Sequence, residues 1–379
     1  MLFGNLFTQQ TPDMSYSHAD RLKETIELTK LAESLGYDSV SFAENHFSNY
    51  GYSPNPVLLA AAIGQHTERI RLGSAVAVLP FWNPIRLAED VATADLLLGG
   101  RFELGIGRGY QHIEFNGLGL PYDERQDIYA ESLEFLLGAW TSDEFTYEGK
   151  YFNVRKPINV LPKSFTKPHP KIMIGVASES SVRAAASTEF RVFGTSLAKV
   201  NKASENENSG ATDNREKTAD EFFGESASHH EIYLAERKRL GLSGDHWVNG
   251  MNRQVYVTSA RTGTKEYESE LNDALVRSRL LTRMGYGLRT EIIDVDRGQL
   301  VPLPQPGDPP LESYLEHLVF GTPDEVTAQF RDLADAGVQE VNLMIDYAGI
   351  PFEKAQSCMR LFGEEVIPAM KEYDSVTAQ

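Results

Sequence analysis

A repeated alternation of short apolar strands with amphipathic helices constrains this chain most. Strands that reach their neighbours only through a helix pair in parallel, and helices then cover the sheet. Strand candidates lie at Leu2–Phe7, Ser39–Ala43, Ile70–Val78, Phe102–Ile106, Lys171–Val176, Phe190–Gly194, Gln254–Thr258 and Glu340–Ile345. The first helix sets Leu28, Leu31, Ala32 and Leu35 on one stripe and stops at Gly36. Helices at 55–67 and 84–98 follow, and another carries Leu133, Leu136, Leu137 and Trp140. Near the end, Thr322-Pro323-Asp324-Glu325 reads as a capping box with proline at N1; that helix stops at Gly337, and a last one covers Phe352–Tyr373. Eight strands in this order predict an α/β fold of the (β/α)8 TIM-barrel type. A doubly wound Rossmann sheet is the runner-up, but no strand runs into G-x-G-x-x-G, and Gly105, Gly107 and Gly109 have the wrong spacing for it.

Three stretches interrupt the pattern. Phe145–Val154, turning at Glu148-Gly149-Lys150, reads as an inserted hairpin. Residues 199–225 are polar and poor in large apolar groups until Phe222, which predicts a mobile excursion. Residues 285–310 end in PLPQPGDPP, where neither regular helix nor sheet is possible. The whole of 1–379 is therefore expected to be one barrel domain with irregular insertions near 199–225 and 285–310. A net charge of −18 argues against nucleic acid or an anionic membrane as the main partner. A single cysteine, Cys358, excludes an internal disulfide framework and a Cys-based zinc site, and its spacing to Leu361 and Phe362 reads as a core thiol. No metal-ligand spacing such as H-E-x-x-H occurs, so no metal is expected. MLFGNLFTQQ lacks the marks of a secretory signal and no apolar run reaches spanning length; a cytoplasmic setting is expected.

In a barrel of this kind the chemistry sits at the C-terminal ends of the strands. The second strand ends Ala43-Glu44-Asn45-His46-Phe47: a carboxylate, an amide, an imidazole and an aromatic together. They serve either acid–base work and ligand contacts, or one another's hydrogen bonding. The third ends in small residues, Gly73 to Val78, leaving room for a flat ligand or fitting a tapered core. The fourth enters Gly105-Ile106-Gly107-Arg108-Gly109, where an arginine fork lies on a bare backbone suited to a phosphate or carboxylate. The bland alternative is a crowded corner with a surface charge. After the fifth strand come Ser178, Ser180 and Ser181 at a helix start, which either bind an anion or cap the helix.

FGNLF at 3–7, LAESLGYDSVSFAENHF at 31–47, RLGSAVAVLPFWNPIRLAEDV at 71–91 and GGRFELGIGRGYQHIEF at 99–115, with the closing GTPDEV and GVQEVNL, occur in one order. In these the chain resembles the bacterial luciferase-like family of flavin-dependent monooxygenases, and within it the branch of the luciferase alpha subunit. The likeness spans most of 1–195 and 318–372 and is weak through 199–310.

The resemblance implies an FMN-using barrel, commonly a dimer packed through early helices, with an identical subunit or a homologue. A separate flavin reductase would supply reduced FMN, and O2 would add to the ring to give a peroxyflavin that oxygenates an aldehyde, ketone or similar small substrate. By position, Arg108 would hold the FMN phosphate together with Ser178, Ser180 and Ser181. Ala75–Val76 would form a non-prolyl cis peptide under the ring, with Gly107 and Gly109 alongside. Glu114 would match an acidic position near the flavin, and His46, beside Glu44, the second of two paired histidines. Two departures stand out. The first paired histidine, a base, is here Asn45, which takes no proton near neutral pH. That counts against light emission from an aldehyde and leaves oxygenation untouched. A reactive cysteine near the flavin is here Gly107. Two other readings remain: a deazaflavin-dependent hydride-transfer oxidoreductase on the same barrel, and a flavin-binding protein without turnover.

Overall fold

The structure is a computed structural model that describes residues 1–176, 178–194, 219–290, 295–300 and 309–377. Its centre is a closed ring of eight parallel strands: β1 (Leu2–Phe7), β2 (Ser39–Phe42), β3 (Arg71–Ser74), β4 (Phe102–Gly107), β5 (Lys171–Val176), β6 (Arg191–Gly194), β7 (Trp247–Val257) and β8 (Glu340–Met344). Each pairs in parallel with the next, and β8 closes onto β1. Around it lie α1 (His18–Ser34), α2 (Pro56–Gly64), α3 (Pro84–Leu97), α4 (His112–Leu118), α5 (Arg125–Thr141), α6 (Glu179–Ala186), α7 (Ala219–Arg239), α8 (Lys265–Thr290), α9 (Pro323–Asp335) and α10 (Phe352–Leu361). The alternation in the sequence thus yields the TIM barrel it implied.

Local chemistry explains where the helices begin. Asn55 and Asn83 accept backbone N–H groups at the starts of α2 and α3, each followed by proline in the first turn. Thr322 and Glu325 form the reciprocal capping box of α9. Phe3 on β1 packs edge-on against Phe330 of α9 and Phe362 just past α10, which ties the ring to its helical coat. Inside the ring, Ser39 and Ser41, Gly73, Met173, Phe193 and Asn342 line a cavity of about 30 Å³. There Arg191 bridges Glu103 at 3.0 Å and also pairs with Glu340. This ionic layer braces the barrel interior away from the loops that follow the strands.

The structure corrects several boundaries. The third strand is broken: Arg71–Ser74 is followed by a cis peptide between Ala75 and Val76, and Ala77–Val78 then re-pairs with Ile106 and Gly107. β7 begins at Trp247, well before Gln254, although Asn249–Arg253 is polar. Pairing to β6 and β8 on both sides, with Asn252 accepting from Asn342 Nδ2 at 3.1 Å, overrides the weak local preference. A further short strand, Leu318–Gly321, lies against the second half of β7.

The excursion expected at 199–225 gives way to α7 from Ala219 onward; residues 195–218 lie outside those described. α7 is held by tertiary contacts: the buried Arg237 donates to the carbonyls of Ala186 and Thr188. The region 285–310 is likewise less irregular than expected, since α8 continues to Thr290 and Val295–Asp296 pairs with Gln299–Leu300; residues 301–308 lie outside the description. Met284, Leu288 and Leu300 bury one another beside Tyr50 and Ile113, and this packing orders a stretch that prolines alone would leave irregular. Cys358 is a core thiol, its Sγ accepting from Val257 N–H at 3.1 Å, and burial pushes its pKa up to about 12. Among the described residues, no helix is long and apolar enough to cross a membrane.

Candidate active site

β2 ends at Phe42, and the chain turns through Ala43-Glu44-Asn45-His46 before Phe47 takes a left-handed φ of 61°. That turn sinks three polar side chains into the mouth of the barrel. Glu44 is almost wholly buried, and both its oxygens are engaged: Oε2 accepts from Val78 N–H at 2.6 Å and Trp82 Nε1–H at 3.1 Å, while Oε1 meets His46 Nε2 at 3.0 Å. Burial pushes its pKa up, and these donors oppose the shift. Glu44 therefore ties the strand end after the cis peptide to the imidazole. An ionised Glu44 selects the Nε2–H tautomer and leaves Nδ1 to accept or take a proton. The His46 ring lies between Phe47 and Phe81, with centroids 5.6 and 5.5 Å away.

Glu114 arrives from α4, far along the chain, and its Oε1 accepts the backbone N–H of His46 at 2.9 Å. Burial, the dominant cause, raises its pKa to about 7, a value the neighbouring Glu44 charge also favours. Asn45 donates its backbone N–H to Ser53 O at 3.0 Å and accepts from Gln111 Nε2 at 3.2 Å. Gly51 explains how the turn closes. A Cβ there would lie 2.6 Å from Asn45 Nδ2 and closer still to Thr8 O. The barrel thus brings Glu44, His46 and Glu114 into one hydrogen-bonded cluster, with Asn45 on its flank.

On the β4 side, Arg108 is half-buried and donates from Nη1 to Gln126 Oε1 at 2.5 Å, a neutral partner on α5. The glycines beside it answer first to packing. A Cβ on Gly107 would strike Val76 Cγ2 at 2.5 Å, one on Gly105 would collide with Ser74 O, and Gly109 has φ +76°. At Gly175, by contrast, an added Cβ would find only Val76 Cγ1, at 3.8 Å. The serines stand at the end of the adjacent strand β5. Ser178 caps α6 in a reciprocal box with Ser181, and its Oγ lies 3.1 Å from Ser180 Oγ. Capping is thus one role they fill, and among the described residues no hydrogen bond joins them to Arg108. Trp82, Phe81, Gly51, Ser53 and Gln111 escaped the sequence reading. Phe81 and Trp82, inside the stretch 71–91, and Gln111, inside GRGYQHIEF, carried a signal that could have found them; Gly51 and Ser53 carried none.

The family model for luciferase-like monooxygenase matches residues 1–207. The chain belongs to this family. An uncharacterized protein of Sinorhizobium fredii, y4vJ, is 37% identical over 181 residues, 48% of this chain and 51% of that one. The chain spans about half the length of the first curated relatives it matches. The oxygenase component of flavin-dependent trigonelline monooxygenase from Acinetobacter baylyi is 24% identical over 96% of this chain and 92% of its own. In fold, the chain is similar to the oxygenating constituent of 3,6-diketocamphane monooxygenase from Pseudomonas putida, solved in complex with FMN. The TM-score is 0.74 at 22% identity, covering 97% of this chain and 98% of that one. The relatives also include F420-dependent enzymes, among them a glucose-6-phosphate dehydrogenase of Rhodococcus erythropolis.

Proposed function

We propose that this chain is the oxygenase component of a two-component FMN-dependent monooxygenase, which takes reduced flavin from a separate reductase and uses O2 to oxygenate a small aldehyde, ketone or similar substrate. One observation carries this reading. The buried Glu44–His46–Glu114 cluster lies in a barrel mouth whose neighbouring loop presents Arg108 to a neutral amide and, among the described residues, to no carboxylate. An arginine without an acidic partner is available to a phosphate. The residues present fit the flavin: Arg108 and the serines at 178, 180 and 181 for the phosphate, and the Ala75–Val76 edge for the ring, where the open side of Gly175 leaves space. Gly107 and Gly109 allow Val76 and Phe115 to lie where they do.

Bound reduced FMN supplies two electrons, so that one atom of O2 leaves as water and the other passes to the substrate. The chain's own groups then manage position and protons. Glu44 fixes the His46 ring, Glu114 holds a proton near neutral pH at the His46 backbone, and Asn45 orients a polar group without exchanging protons. A second copy of the chain, or a homologue, covers the exposed leucines of α2 and α3, Leu58, Leu96 and Leu97.

The test is to mix the protein with photoreduced FMN and then with oxygenated buffer. A long-lived flavin absorbance distinct from both oxidised and reduced FMN supports oxygenation. Tight FMN binding with immediate release of hydrogen peroxide would make it a flavin-binding protein without turnover. Absence of FMN binding refutes both, and would leave hydride transfer with a deazaflavin as the reading to pursue.

A further inference from the structure

The short helix α6 carries the serines proposed for the flavin phosphate at one end, and its other end is gripped by α7. The N–H groups of its first turn have no acceptor within the helix, and an anion there would use them. With 8 residues at about 1.5 Å each, α6 is only about 12 Å long, too short to be stable by its own hydrogen bonds. Its buried apolar side chains are Val182, Ala185 and Ala186, one valine and two alanines. Apolar burial of that size holds a helix weakly, so the placement of α6 depends on polar anchors.

Those anchors come from two consecutive residues of α7. Arg237 is 1% exposed, and its guanidinium spreads over the C-terminal end of α6. Nη1 donates to the carbonyls of Ala186, at 3.3 Å, and Thr188, at 2.7 Å. Nη2 donates to Glu189 Oε1 at 2.9 Å and to the carbonyl of Ser243. Glu189 is held in turn, its Oε2 lying 2.8 Å from His246 Nε2 just before β7. Glu236 takes the flank of α6: its Oε2 accepts from Arg183 Nη1 at 3.3 Å, and Arg183 also pairs with Glu179 in the first turn. A planar guanidinium fork fixes direction as well as distance, which the point charge of a lysine does not. A cation at this end also suits the helix dipole, whose positive end lies at the serines.

We infer that Arg237 is a positioning residue for the flavin phosphate: by locking the C-terminal end of α6, it holds Ser178, Ser180 and Ser181 where the phosphate meets them. This rests on the FMN reading above and adds α7 to the phosphate grip. Because binding and docking share one short helix, the coupling runs both ways, and a phosphate held at the first turn tightens α7 on α6.

The test compares FMN with riboflavin, which lacks the phosphate, by fluorescence titration at a temperature where each protein is folded. Arg237→Gln should weaken FMN binding about tenfold and riboflavin binding less than about twofold, and Arg237→Lys, which keeps the charge without the fork, should fall between. A purely structural role moves both ligands together. In the unsubstituted protein, FMN but not riboflavin should slow hydrogen exchange at the amides of the last turns of α7. An FMN-to-riboflavin affinity ratio that stays within about twofold of the unsubstituted protein's in every variant that folds overturns the proposal. Equal exchange at α7 with either ligand does so too, and that measurement decides the matter should neither variant fold. If the unsubstituted protein binds FMN no tighter than riboflavin, the phosphate role of Arg108 and the serines fails first, and this proposal with it.

Discussion

Glu114 offers a quantitative handle on the site, because its carboxyl is paid no full hydrogen-bond compensation for burial. Its ordinary value of 4.5 is raised to about 7, chiefly by desolvation, with one backbone N–H from His46 opposing the shift. Between those two values the unfolded chain releases the proton while the native protein keeps it. The wild type therefore loses stability as pH rises through that window, and the full penalty is present above pH 7. At about 1.4 kcal/mol per pKa unit, the shift corresponds to about 3 kcal/mol. Glu114→Gln keeps an oxygen to accept the His46 N–H and removes the ionisation. The substituted protein should exceed the wild type by less than about 1 kcal/mol at pH 5 and by about 3 kcal/mol at pH 8. Urea unfolding of both proteins across that range measures the difference, in which the titration of groups remote from position 114 cancels. A difference that stays flat with pH, or a Gln variant that is the less stable at pH 8, would refute the assignment of a buried, near-neutral carboxyl at 114.

Arg108→Ala should weaken FMN binding at least tenfold while changing riboflavin affinity less than twofold, as measured by equilibrium fluorescence titration; equal losses would remove the phosphate role. Gly51→Ala places a Cβ against Thr8 O and Asn45 Nδ2 and should cost about 1–3 kcal/mol in urea unfolding; an unchanged midpoint would show that the turn has room to shift. Asp346→Ala removes the 2.8 Å partner of the buried Arg21 and leaves Glu24, at 3.7 Å, to compensate it in part, so a loss of up to about 3–5 kcal/mol is expected; a change below about 1 kcal/mol would show that Glu24 or water suffices for the cation. Leu58→Asp combined with Leu97→Asp should give a monomer by light scattering with FMN affinity intact, whereas an unchanged mass would move any interface away from α2 and α3.

The fold was legible because it is written in local signals that agree with one another. Strand–helix alternation, the asparagine–proline helix starts at 55 and 83, and the Thr322 capping box all act over a few residues. What escaped depends on distant packing. The polar start of β7 is a strand only because β6 and β8 flank it, and the end of α8 is helical because Met284 and Leu288 find Leu300. The site divides the same way. Glu44 and His46 stand two residues apart and announce themselves, while their partnership with Glu114 exists only after β2 and β4 are brought around the same barrel. Gly51 and Ser53 carry no pattern at all in the sequence; their meaning is steric and appears only where the loop folds back on Thr8.

That separation bears on how such a site changes its chemistry. The groups proposed for the cofactor, Arg108 and the serines at the start of α6, follow β4 and β5, whereas the residues packed around Asn45 come from the ends of β1 and β2 and the start of α4. Glu44 is the link between the halves, since it holds both the His46 ring and the Val78 amide beyond the cis peptide. A substitution at 45 alters which polar group the site can hold without touching any contact that Glu44 makes. Replacing Glu44 itself would release His46, Val78 and Trp82 together. On this architecture an amide can stand where a base would otherwise be, and the cost is confined to proton transfer at that one position: flavin affinity should follow Arg108, and substrate discrimination should follow Asn45, with little coupling between them.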